Sequence, residues 1–155
     1  MKQIMVLVML VVLSSCGTKV KKPIEDVLKE IDSYVSEINR KENISKTSSE
    51  GVLTDASGFK DTGKYTLNTY YNKLNNTLYR IENIEITNKV IAENFYFKEN
   101  DLVFVSTHTN KEAPEKLYIY KDKIINKSNM DSEHQKILLN KASLFKKEFE
   151  KATKN

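Results

Sequence analysis

His108 and His134 are the side chains of this sequence best suited to binding a metal or moving a proton. A zinc site needs further Cys, His or carboxylate ligands at coordinated spacing, and no HxxxH, CxxC or HExxH pattern occurs. Both histidines read as surface or strand-end residues, and no metal ligand is assigned. Asp101, Ser106 and His108 lie close enough in sequence to suggest an orienting acid, a nucleophile and a base. Alternation along a strand would put Ser106 and His108 on one face, which is not by itself an attacking geometry. No GxSxG elbow accompanies them. The pairs Glu82/Glu85 and Glu99/Asp101 have the composition needed for acid–base work, but a chain with 21 acidic residues produces such pairs by chance. Phosphate-binding glycine loops are absent. These patterns assign no catalytic residue and imply no cofactor.

Cys16 is the one cysteine, so no internal disulfide is possible. Lys2 precedes ten uncharged residues, Ile4 to Leu13, of which all are apolar. As a helix that run spans roughly 15 Å, about half a bilayer core, which suits a signal-peptide core and not a spanning anchor. It ends in Leu13-Ser14-Ser15-Cys16-Gly17. This stretch resembles the lipobox of bacterial lipoproteins, in which an aliphatic residue and two small ones precede the cysteine. The resemblance implies cleavage between Ser15 and Cys16, a diacylglyceryl group on the Cys16 thiol and acylation of the new amino end. Two or more chains give stable attachment where one does not, because each buried CH₂ contributes about 0.8 kcal/mol.

The implied organisation is a signal peptide over 1–15, a lipidated Cys16 with a short tether to residue 22, and a single domain over 23–155. Six tether residues span at most about 20 Å, which holds the domain close to the bilayer. Lys19, Lys21 and Lys22 could attract anionic headgroups or simply keep the tether soluble. Position 17 is Gly and no acidic run follows Cys16. By resemblance to lipoprotein sorting patterns, this points to an outer membrane, on the side facing the periplasm.

The formal charge is +4, and losing Lys2 with the leader leaves 24 basic against 21 acidic residues, interspersed along the chain. Arginine, the better bidentate phosphate reader, occurs only as Arg40 and Arg80. That balance argues against nucleic acid as a partner. Eight Tyr and six Phe argue for a folded chain.

The fold expected is α+β. Pro23 suits a first helical position, and Ile24, Val27, Leu28, Ile31, Val35 and Ile38 then recur at three- and four-residue steps, predicting an amphipathic helix of about 18 residues. Residues 43–63 are polar and hold Gly51, Gly58 and Gly63; Gly51–Thr54 or Gly58–Lys60 reads as a short edge strand or a packed loop. From Lys64 the period becomes two, predicting about five strands: Lys64–Tyr71, Thr77–Ile86, Val90–Lys98, Leu102–His108 and Lys116–Ile125. Short polar connections imply an antiparallel meander. Asp131 or Ser132 can cap a second helix, with Leu138, Ala142, Phe145 and Phe149 on one face. Both helices are expected on one face of the sheet.

Seven of the eight tyrosines fall between positions 65 and 120. Tyr70, Tyr79, Tyr96, Tyr118 and Tyr120 could form a binding face on an uncovered side of the sheet, or could simply be favoured strand residues. The functional expectation is a lipid-anchored, noncatalytic interaction module whose partner is another envelope protein or a cell-wall component. The alternatives are a small-ligand or glycan-binding domain using the tyrosines, and an envelope hydrolase gathering His108, Glu82, Asp101 and Ser106.

Overall fold

The structure is a computed structural model and describes residues 22–58, 60–109 and 113–154. The leader, Ser15 and Cys16 lie outside the described residues. Helix α1 spans Ile24–Arg40, with Glu25 and Asp26 in its first turn and Arg40 in its last, as the helix dipole favours. Its apolar stripe buries Val27, Ile31 and Ile38. The strands are β1 (Ser45–Thr54), β2 (Asp61–Asn72), β3 (Thr77–Ile86), β4 (Val90–Lys98), β5 (Asp101–Thr109), β6 (Glu115–Tyr120) and β7 (Lys123–Lys127). Helix α2 follows over Ser132–Thr153. Its first turn is capped by Asp131, whose carboxylate accepts from the His134 N–H at 2.7 Å. The seven strands lie in chain order, each antiparallel to the next.

Three expectations are corrected. The polar stretch around 43–63 contributes a full strand, β1, although seven of its ten residues are exposed. Its backbone pairs with β2 from Ser45↔Tyr71 to Leu53↔Gly63, so main-chain bonding makes the strand where side-chain alternation is missing. The expected strand Lys116–Ile125 is a hairpin instead. Lys121 and Asp122 take left-handed φ of 51° and 60°, the two-residue turn whose twist matches antiparallel strands. Among the described residues the sheet therefore has seven strands where about five were expected.

The third correction concerns the helices. Phe95 and Phe97 pack in one buried cluster with Leu138 and Ala142 of α2. Tyr96, between them, packs with Val27, Ile31 and Ile38 of α1. Successive side chains of a strand point to opposite faces, so the helices cover opposite faces and not one. The runs Phe95-Tyr96-Phe97 and Leu117-Tyr118-Ile119 are buried throughout, as strands sandwiched on both sides must be.

The β2–β3, β4–β5 and β6–β7 hairpins each carry a register break close to the turn, opposite Tyr70/Tyr71, Tyr96/Phe97 and Tyr118/Ile119. The extra residues are Tyr79, Val103 and Ile125, and all three pack against the α1 cluster. A bulge bends its strand and raises the local twist, so three aligned bulges shape this end of the sheet around α1.

Gly63 has a strict reason to be glycine. A Cβ there would lie 2.3 Å from the Ile86 carbonyl oxygen and 2.8 Å from Thr87 Cγ2. Gly51 meets only the movable ring of Tyr65, at 2.5 Å. Gly63→Ala should therefore lower stability by about 1–3 kcal/mol in urea unfolding, and by more than Gly51→Ala does. Equal effects would show that the backbone at Gly63 yields freely.

Candidate functional site

The five tyrosines expected on an open binding face do not share one. Tyr96 and Tyr118 are 4% and 9% exposed, forming the floor beneath α1. The Tyr96 hydroxyl donates to Asn39 Oδ1 at 2.9 Å, and the Tyr118 hydroxyl to Asp32 Oδ1 at 2.9 Å. Burial, reinforced by the Asp32 bond and charge, pushes the Tyr118 phenol up to about 12. Tyr34 of α1 returns a bond to the Phe97 carbonyl oxygen, and burial pushes its phenol up as well. Phe104 stacks between Tyr96 and Tyr118 at centroid distances of 5.7 and 4.9 Å. These rings hold the helix to the sheet. Tyr70, Tyr79 and Tyr120 keep partial exposure, each with a cation near its ring: Arg80 at 4.0 Å, Lys41 at 5.2 Å and Lys121 at 5.1 Å respectively.

The four residues considered for hydrolysis are spread out. Glu82 and Ser106 share one row but are separated by Asn94 of β4. Two strand spacings put them roughly 10 Å apart, beyond the reach of a nucleophile–base hydrogen bond. His108 stands one row further along, opposite Ala92, and Asp101 lies at the far end of β5, opposite Lys98. Among the described residues no group of three or more His, Cys, Asp or Glu could hold a metal ion, and no helix is long and apolar enough to cross a membrane.

On the α1 side, the apolar cluster under the helix takes in the row containing Tyr96, Phe104 and Tyr118. The next row runs Ser48, Asn68, Glu82, Asn94, Ser106 in direct register. Hydrogen bonds run along it, from Ser48 Oγ to Asn68 Oδ1 at 2.7 Å and from Asn68 Nδ2 to Glu82 Oε2 at 2.9 Å. The Tyr70 hydroxyl also donates to Glu82 Oε2, at 3.2 Å. One row further lie Glu50, Thr66, Ile84, Ala92 and His108. Ile84 and Ala92 belong to neither packed cluster. This half-face carries a polar, hydrogen-bonded strip, with Asn68 buried, beside Ile84 and Ala92.

No protein-family model, curated protein or solved structure matches the chain. The functional reading therefore rests on its own residues.

The strongest electrostatic feature lies on the opposite face, under α2. There Asn83, Glu93, Thr107 and Glu115 stand in direct register across β3–β6. Lys141 of α2 reaches down to them, its Nζ donating to Glu85 Oε1 at 2.8 Å and to both oxygens of Glu93 at 2.8 and 2.9 Å. Asn83 Nδ2 bridges the same two carboxylates at 2.8 Å each. Beside them His134 Nδ1 lies 3.1 Å from Glu115 Oε2, and a cleft of about 440 Å³ opens between these groups.

Burial works against ionising Glu85, but the bonds from Lys141 and Asn83 outweigh it and hold the carboxyl below its ordinary range. Burial likewise opposes the Lys141 charge, and the two carboxylates hold its pKa above the usual lysine value. The carboxylates and the ammonium satisfy one another, so the arrangement fixes α2 on the sheet. Sequence reasoning paired Glu85 with Glu82, which alternation places on the other face; its true neighbour Glu93 is on β4. No local spacing marks that pair.

Proposed function

We propose that the protein is a lipid-anchored module of a bacterial envelope that binds a macromolecular partner and performs no chemistry of its own. The observation that carries this reading is the placement of the only cysteine. Cys16 closes a lipobox-like Leu13-Ser14-Ser15-Cys16 and stands six residues before Lys22, where the described domain begins. Acyl chains on that thiol would hold the domain within about 20 Å of the lipid surface, in an outer membrane and facing the periplasm. The partner is another envelope protein or a cell-wall component, and it meets the half-face that α1 leaves open.

A second reading, a small-ligand or glycan site, draws on the partly buried Tyr70 ring, with the Arg80 guanidinium 4.0 Å from its centroid, beside Glu82. It would use one aromatic edge in place of the five-tyrosine face first expected. The hydrolase alternative finds less support, because Glu82, Ser106, His108 and Asp101 do not converge.

Cys16→Ala tests the anchor. Incorporation of a lipid analogue should disappear and the protein should move from the membrane to the soluble fraction. Undiminished membrane attachment of the Cys16→Ala protein would overturn the reading.

A further inference from the structure

We propose that β1 pairs with the β1 strand of a second copy, antiparallel about a two-fold axis at Ser48, joining two sheets into one. β1 is the outermost strand, and among the described residues only β2 pairs with it. Its ten residues contain no proline, and Lys46 to Glu50 are all exposed. Its one irregularity lies at the far end, between Leu53 and Thr54. Natural sheets usually shorten, kink or charge such an edge to prevent pairing. This edge is long, and its two charges are of opposite sign on the same face.

The spacing of those charges selects a register. With Ser48 on the axis, the paired stretch runs from Ser45 to Gly51, and Lys46 of each copy stands opposite Glu50 of the other. Val52, 52% exposed in the single chain, lies just beyond the paired stretch. On the other face Thr47 meets Ser49 and Ser45 meets Gly51, pairs without charge or bulk. A slip of one residue turns every side chain to the wrong face. A slip of two sets Lys46 or Glu50 opposite Ser48, and a slip of four sets a charge opposite its own copy. One alignment pairs both charges. Edge pairing alone covers little area, which fits a weak, reversible dimer.

The assembly does not depend on the lipid anchor. It is tested by sedimentation of the full protein in detergent and by cysteine cross-linking in cells. Association of the parent protein should be concentration-dependent. Lys46→Glu and Glu50→Lys should each weaken it about tenfold, since each turns two opposite-charge pairs into like-charge pairs. The double exchange Lys46→Glu with Glu50→Lys should restore it. Ser48→Cys should form a disulfide dimer faster than Thr47→Cys or Ser49→Cys, with the parent protein controlling for Cys16. All these positions are exposed; Ser48→Cys gives up the hydrogen bond from Ser48 Oγ to Asn68 Oδ1, so its folding is checked by urea unfolding alongside the parent protein. A monomer at every concentration reached, single charge changes without effect, or cross-linking no faster at 48 than at 47 and 49 would each overturn the proposal.

Discussion

Lys141→Met should lower the free energy of unfolding by about 3 kcal/mol, read from urea denaturation with an unchanged slope. The cost arises because two carboxylates lose their shared cation while Glu93, with 4% of its side chain exposed, is too buried to be fully hydrated in its place. It falls at the lower end of the range for a broken buried pair because Lys141 and Glu85 keep 28% and 21% side-chain exposure. Removing a partner charge should then help. Lys141→Met combined with Glu93→Gln should recover much of the loss, since an uncompensated buried charge is worse than none.

The pH dependence carries the same signature. Glu85 is held below its ordinary pKa, so it contributes stability that is present above the unfolded carboxylate range and is lost as pH falls through its folded value. Lys141 is held above its ordinary pKa, so its contribution is complete below the unfolded lysine value and disappears as pH rises through the folded one. The deficit of Lys141→Met should therefore be greatest near neutral pH and shrink in acid, where protonation removes the uncompensated charges. A deficit of the same size at pH values on both sides of the carboxylate range would mean that Lys141 acts through packing.

The elements that were legible in the sequence bury a local pattern. The three- and four-residue steps from Ile24 to Ile38 place α1, and alternation places β3 and β4 at the limits observed. Most of β1, from Ser45 to Glu50, was hidden because its exposed side chains carry no hydrophobic period; its bonding to β2 defines it. The β6–β7 turn was hidden because Lys121 and Asp122 adopt left-handed φ without glycine or asparagine to announce it. Reading the tyrosines as one face failed for a related reason. Alternation says which residues share a side of a strand, but not whether a helix will cover that side. The unbroken runs Phe95-Tyr96-Phe97 and Leu117-Tyr118-Ile119 held the answer, since a strand with one wet face would interrupt them with polar groups. The Glu85–Glu93–Lys141 cluster is wholly nonlocal, assembled from β3, β4 and α2, so no spacing could reveal it.

Adjacent substitutions in β4 should separate the two faces. Phe95 is fully buried, stands between Ile81 and Val105 in register, and meets the Phe145 ring edge-on at 5.6 Å. Phe95→Ala should cost about 3–5 kcal/mol, speeding amide hydrogen exchange throughout the sheet and α2. Tyr96→Phe keeps the ring against Phe104 and removes only the hydroxyl bonded to Asn39, a loss of about 1 kcal/mol. Its effect on exchange should be confined to α1, because that helix rests on a cluster separate from the α2 core. Local opening of a surface helix requires less free energy than global unfolding, so α1 can loosen while Leu138 and Ala142 stay packed. If Tyr96→Phe accelerated exchange in α2 as much as in α1, the two packed layers would have to unfold as one. α1 could then not release from its face while the rest of the sheet stayed intact.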